Sequence, residues 1–381
     1  MSSTKPLAGL KVLEIGHSIA APYAGMILGE LGADVIKLEN PGQGDYARGW
    51  GPPFSGDTST VFQAVNRAKR GIAADLSDPA TRARVRALIL GEMDVVIHNL
   101  KPGALDKLGL GAVGLLAEKP SLIFCNIGAF GARGPLNTLP GYDPLMQAFG
   151  GLMSILGEDG RPPVRVPVSV MDLGTGMWTV IGILAAHAER ARTGRGGIVD
   201  TSLFETSCAW MGIPIAEYLE NQVMPRRSGS GVTMIVPYQA FPTSDGYLMV
   251  AAGNDNLFRK LCGVVGQPEL AEDARFVRNA GRVENRIVLI ALLSGALARD
   301  TMAAWQARLE AVGVPCGPVQ TVDQVVAHPQ TAALGIVQSS PDGRVRTVGM
   351  PVSFDGERPA YERMAPGLGA DTAEVLDRHG G

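Results

Sequence analysis

Among the 381 residues, the carboxyl group of Asp172 has the setting best suited to covalent chemistry. It precedes LGTGMWTVIGILAAHAERAR, Leu173 to Arg192, the longest apolar helical pattern in the chain, and so falls at that helix's N-cap position. An ionised aspartate, with an ordinary pKa of about 3.9, needs no activating base at neutral pH and attacks acyl carbonyls directly. Gly174 and Gly176 would admit a bulky acyl group to the first helical turn, whose free amides favour developing negative charge. Capping a helix is also one of the commonest tasks of Asp, and spacing alone leaves both roles open.

A second group of candidates lies in loops. His17 follows the first strand-like run, in Gly16-His17-Ser18-Ile19-Ala20-Ala21-Pro22, where an open parallel sheet places a ligand loop. The G-x-G-x-x-G of a dinucleotide site is absent, and only Gly16 is present; Glu39 alone, as a ribose-binding acid, is a weak sign of a nicotinamide site. Tyr142, in Gly-Tyr-Asp, can donate its phenol to an oxyanion or simply turn the chain, and Trp50 can wall a pocket or cover an edge. Lys37, Asn40, Arg48, Asn99, Lys101 and Lys107 stand near successive strand ends, where the phosphates of a coenzyme would meet them. The four cysteines are far apart, and the five histidines have no metal-ligand spacing, so no metal site is expected.

These residues must be positioned by alternating strands and helices. KVLEIG at 11–16, a small-residue helix at 22–31, and DVIKLE at 34–39 form a strand-helix-strand unit. Strand patterns at 70–76, 94–99 and 121–127, a helix at 78–90, and GIVDTSL after Gly196-Gly197 continue it, which predicts a mainly parallel sheet covered on both faces. Beyond the loop PRRSGSG at 225–231 the pattern changes to an antiparallel hairpin around Ser244-Asp245-Gly246, with helices at 254–265, 280–299 and 301–312. The expected boundaries are a large domain over 1–225, a small one over 226–325, and a tail over 326–381 packed on existing structure.

Composition narrows the partners. With 46% hydrophobic residues the chain can bury a substantial core, and 34 basic against 37 acidic residues leave a net charge of −3 with no long run of one sign. Neither nucleic acid nor a membrane is an expected partner. No signal peptide is apparent and no apolar run reaches the roughly 20 residues of a bilayer span, which makes the cytoplasm the expected compartment.

In order along nearly the whole chain, the sequence resembles the class III CoA-transferase family, which includes formyl-CoA transferase, carnitine CoA-transferase and 2-methylacyl-CoA racemases. The matching passages include PLAGLKVLEIGHSIAAPYAGMILGELGADVIKLENPGQGDYARGW at 6–50, HNLKPGALDKLGL at 98–110, GYDPLMQAFGGLM at 141–153 and DLGTGMWTVIGILAAHAERARTGRGGIVDTSLFE at 172–205. The resemblance implies an open, mainly parallel Rossmann-like α/β large domain, a smaller α+β domain, and a homodimer of interlocked chains. It places the nucleophile on Asp172, and coenzyme contacts on Ile19, Ala20, Asn40, Ala74, Asp75, Leu76, Ser77, Asn99, Leu100, Lys101 and Lys107. Trp50 and Tyr142 match active-site aromatics of the formyl-CoA enzyme; Asn40 replaces a basic residue there, and Ile19 a polar one. Gly229 and Gly231, in Ser-Gly-Ser-Gly, stand where that enzyme carries a run of four glycines ahead of its small domain, and Arg226 and Arg227 are candidates to meet a dicarboxylate. The implied reaction passes CoA from an acyl-CoA to a carboxylic acid through mixed anhydrides and an aspartyl-CoA thioester, with CoA esters as substrates and no resident cofactor. The alternatives are a 2-methylacyl-CoA racemase, disfavoured because Tyr142 stands where that branch has a histidine, and an acyl-CoA-binding protein without catalysis.

Overall fold

The computed structural model describes residues 5–379. The chain divides into two compact units: one comprises the chain up to Leu152, Arg165–Ala216 and the chain from Pro329 on, the other Met153–Val164 and Glu217–His328. Residues 153–164 and 217–225, read from the sequence as part of the large domain, cluster with the second unit.

The first unit is built on six strands, β1 Lys11–Ile15, β2 Asp34–Glu39, β3 Lys69–Ala73, β4 Val95–His98, β5 Ile123–Gly128 and β6 Gly197–Ser202. They form one sheet in the order β3-β2-β1-β4-β5-β6, and every neighbouring pair is parallel. Alternate residues face opposite sides of a strand, so both faces need apolar cover. On one side Val12, Val35, Ile97 and Ile123 pack with α1 (Ala20–Glu30). On the other, Leu13, Ile36, Ile72 and Phe124 meet Val85, Leu88 and Ile89 of α2 (Pro79–Gly91). Among the helices that follow are α3 Asp143–Phe149, α4 Val170–Thr193 and α5 Leu203–Trp210.

Helix α4 is longer than the sequence pattern suggests, and its 24 residues are apolar enough, by length and composition, to cross a membrane. This corrects the expectation that no segment reaches that length. Met171, Thr175, Thr179, Val180 and Ile183 are buried on one side of it, and it stops at Gly194, whose φ of 73° is the left-handed C-cap that glycine adopts without strain. The C-terminal chain closes the β3 edge: Asp371 Oδ2 accepts from Gly71 N at 2.7 Å and Thr372 Oγ1 from Ala73 N at 2.9 Å. An edge strand that would otherwise expose its amides is thereby covered.

In the second unit, β7 Tyr238–Pro242 and β8 Tyr247–Ala251 form an antiparallel hairpin, and β9 Cys316–Pro318 adds a third strand beside β8 that the sequence did not reveal. Its helices include Asn279–Glu284 and, as α6 to α8, Asp255–Val264, Arg286–Leu297 and Met302–Ala311. The single helix expected over 280–299 is broken at Asn285, whose side-chain amide turns back onto Gly281 O at 2.9 Å.

Candidate functional site

The strand order places a topological switch point between β1 and β4, where an open parallel sheet leaves a crevice at its carboxyl edge. The loops leaving these two strands are tied together: Asn99 Oδ1 accepts from His17 N at 3.0 Å, and Asn99 Nδ2 donates to His17 O at 2.8 Å. Ser18 is held at a φ of 69°, strained for a residue with a Cβ, by its amide's 2.9 Å bond to Asp45 Oδ1.

Beneath this loop lies a cluster of buried charges. Lys37 Nζ, fully enclosed, donates to Gly16 O at 2.8 Å and pairs with Glu14 Oε1 and Asp45 Oδ2, both at 2.9 Å. Lys69 Nζ meets Glu14 Oε2 at 2.6 Å and also donates to Pro22 O, Val65 O and Asn66 Oδ1. Burial alone would disfavour every one of these charges. Against it, Glu14, Asp45 and Glu39 hold the Lys37 pKa above its ordinary value, and the two lysines hold Glu14 below its own. Burial prevails at Lys69, pushed down to about 8 despite Glu14. Lys37 is thus an internal strut, not the phosphate contact its position suggested. Arg48 is likewise engaged, in a two-pronged pair with Glu39 at 2.7 Å, and this occupies the acid that resembled a ribose ligand.

Asp172 lies on the wall of a cavity of about 370 Å³ at the same edge. It is the third residue of α4, not the N-cap; Ser169 holds that position and makes no side-chain capping bond. The cap comes from another helix. The buried Asp143, at the start of α3, accepts at Oδ2 from Met171 N at 2.6 Å and Asp172 N at 3.3 Å. The first-turn amides expected to be free are therefore taken. Burial, with the Asp143 charge adding to it, pushes the Asp172 carboxyl up to about 7. Gly174 and Gly176 do not open the turn to a ligand either. A Cβ on Gly174 would lie 2.7 Å from the Trp210 ring and one on Gly176 2.8 Å from Ala20 O, so these glycines let α4 approach α5 and α1 closely.

The Asp172 cavity gathers His17, Ile19, Ala20, Trp50, Asn99, Leu100, Lys101 and Tyr142. A neighbouring cavity of about 430 Å³ shares His17 and Leu100 with it and is lined by Asn40 and by Ala74, Asp75, Leu76 and Ser77. The Asp75 carboxylate turns back onto Ser77, accepting from its amide at 2.9 Å and its hydroxyl at 2.7 Å. Burial lowers the His17 pKa, and its ring meets Tyr46 edge-on. Lys107 lines neither cavity. Gly229 and Gly231 belong to the second unit, where Gly229 N donates to Gly157 O at 2.9 Å. Arg227, in the same unit, spends its guanidinium on the carbonyls of Met153, Ser154 and Arg161, which occupies one of the two arginines considered for a dicarboxylate. Sequence reasoning missed Asp143 as a partner of Asp172; the one local sign was Pro144 directly after it, a common helix-start pattern.

Fold and cavity together define an α/β protein with a ligand crevice at its switch point and a carboxyl nucleophile candidate in the wall. The chain belongs to CoA-transferase family III, whose sequence model matches residues 7–372. A succinyl-CoA:glutarate CoA-transferase of Mus musculus is 37% identical, covering 98% of this chain and 86% of the relative. An acetyl-CoA:oxalate CoA-transferase of Acetobacter aceti is also 37% identical, over 98% of this chain and 94% of its own. The crystal structure of a CaiB/BaiF family protein from Brucella suis superposes with a TM-score of 0.89 at 39% identity, covering 99% of this chain and all of the other. The protein is a CoA-transferase, an enzyme class that takes acyl-CoA as substrate.

Proposed function

We propose that this chain moves CoA from an acyl-CoA donor to a small carboxylic acid, with Asp172 as the covalent carrier. The observation that supports it is a partly buried carboxyl in the cavity wall, faced by another carboxylate rather than by a cation, with a pKa near 7. Such a group is a stronger base and nucleophile than an ordinary aspartate while still ionising at neutral pH. Asp172 attacks the thioester carbonyl; the C–S bond breaks to give a mixed anhydride and CoA thiolate. The thiolate attacks the aspartyl carbonyl, releases the donor as a free carboxylate and leaves an aspartyl-CoA thioester. The acceptor carboxylate displaces the thiolate to form a second anhydride, and the thiolate then attacks the acceptor's carbonyl to give the new CoA ester and free Asp172. No electrons change hands and the protons balance.

The names of the relatives make succinyl-CoA and acetyl-CoA the donors to try, with glutarate and oxalate among the acceptors. The test incubates each donor with a pool of carboxylates, and 2-methylacyl-CoA in heavy water in parallel, and reads all CoA esters by mass spectrometry. A new CoA ester that vanishes in Asp172→Ala is the expected result. Deuterium entering 2-methylacyl-CoA without acyl exchange would replace the proposal with a racemase. A second copy of the chain is the proposed cover for Met177, Trp178, Ile181 and Trp210, large apolar side chains left exposed on α4 and α5. A monomeric mass by light scattering would exclude it.

A further inference from the structure

Helix α3 carries two buried polar side chains, Asp143 and Gln147, one turn apart, and both are spent on the segment that leads into Asp172. Gln147 is fully enclosed and grips both backbone groups of one residue: its Oε1 accepts from Val166 N at 2.8 Å and its Nε2 donates to Val166 O at 3.0 Å. The same Nε2 donates to Asp143 Oδ1 at 2.6 Å, which orients that carboxylate, and its other oxygen takes the amides of Met171 and Asp172. The amide groups at both ends of the 166–172 approach are thus held by one turn of a neighbouring helix. The helix's own N-cap supplies no side-chain bond.

We propose that Asp143 and Gln147 form a clamp that positions the Asp172 carboxyl in the cavity and keeps the first-turn amides of its own helix from stabilising it. They are positioning residues, and the proposal rests on the reading of Asp172 as the carrier. An Asp172 carboxylate drawn onto these amides would be ionised at lower pH and be a weaker nucleophile; with Asp143 already bound to them, it stays poised. The cavity wall also presents His17, Tyr46, Lys101 and Tyr142, but Asp143 is the charge that acts appreciably on Asp172.

The two halves of the clamp separate experimentally. Asp143→Asn removes the charge, keeps one acceptor for Met171 N, and turns an amide donor against Gln147. Gln147→Leu breaks the grip on Val166 without changing charge. With the full-length protein, Asp143→Asn is expected to lower kcat by about 10- to 100-fold with little change in KM, and to move the acid limb of the pH profile to lower pH by up to about one unit. Gln147→Leu is expected to lower kcat by about tenfold and leave that limb in place. Circular dichroism confirms folding; should Gln147→Leu not fold, Gln147→Met keeps the length of the side chain and serves instead. Wild-type kcat and an unmoved limb in both variants, with Asp172→Ala inactive, would overturn the clamp and leave the carrier intact. Full activity in Asp172→Ala would overturn the carrier, and the clamp with it.

Discussion

Two clusters of buried carboxyl groups stand at the same sheet edge and are treated in opposite ways. Under the His17 loop, Glu14 and Asp45 meet the fully enclosed Lys37, and Glu14 meets Lys69 as well. At the start of α4, Asp143 and Asp172 face each other, and Asp143 receives only amide donors. In the first cluster each charge has a partner that offsets much of its desolvation; in the second the penalty stays on Asp172. The contrast teaches where reactivity can reside: compensated charge gives geometry, and uncompensated charge gives a raised pKa. The signs follow. Burial would raise Glu14 and Asp45, but Lys37 and Lys69 hold Glu14 below its ordinary value, and Lys37 with the amides of Ser18 and Ala47 does the same for Asp45, so their contribution to stability is complete above about pH 4.5 and is lost as acid protonates them. Asp172 is raised, so its cost to stability is absent below about pH 4, grows as pH rises, and is complete above about pH 7.

Removing the central cation is the largest way to break the first cluster. Lys37→Met leaves Asp45 and one oxygen of Glu14 buried without their partner and should cost about 3–5 kcal/mol in urea unfolding at pH 7. The opposite change sharpens the second cluster. Asp172→Asn removes a charge that folding disfavours and should raise stability at pH 8 by about 1–2 kcal/mol, discounted for solvent at the cavity mouth, with the gain gone below about pH 4. In the wild-type enzyme, the acid limb of kcat/KM should fall near pH 7 rather than near 4, because only the ionised carboxyl attacks. A limb near pH 4 would show that the cavity does not desolvate Asp172.

The first cluster's scaffold was more legible in the sequence than its chemistry, and the second the reverse. Strands β1, β2 and β4 announce themselves as short apolar runs, because a sheet covered on both faces leaves little room for polar residues. Two of the exceptions in those runs, Glu14 and Lys37, are opposite one another in the β1–β2 register; pairing across strands is not visible until the register is known, so Lys37 read as a phosphate contact. Asp172 was legible from its place before an apolar helix and from family resemblance. Its pKa was not, since burial and the approach of Asp143 are tertiary facts: the two residues are 29 positions apart in the chain. The glycines of α4 misled for the same reason, because a glycine that opens a site and one that admits a neighbouring helix look alike in sequence. The third strand of the second unit, β9, is three residues long, too short for an alternating pattern to register.

The smallest effect concerns the strain at Ser18. Its left-handed backbone costs about 1 kcal/mol for a residue with a Cβ, and glycine would remove that cost. Glycine also gives the unfolded chain more freedom, worth about 0.5–1 kcal/mol in the opposite direction. The Ser18 amide bond to Asp45 is a backbone bond and survives the change, whereas the 3.1 Å contact between the Ser18 hydroxyl and His17 Nδ1 is lost. Ser18→Gly should therefore leave stability within about 0.5 kcal/mol of wild type. The freed His17 ring should show itself in binding, as a KM for acyl-CoA raised about two- to fivefold with kcat little changed. An unchanged KM would mean that the Asp45 strut alone fixes this loop and that the first cluster acts through the backbone only.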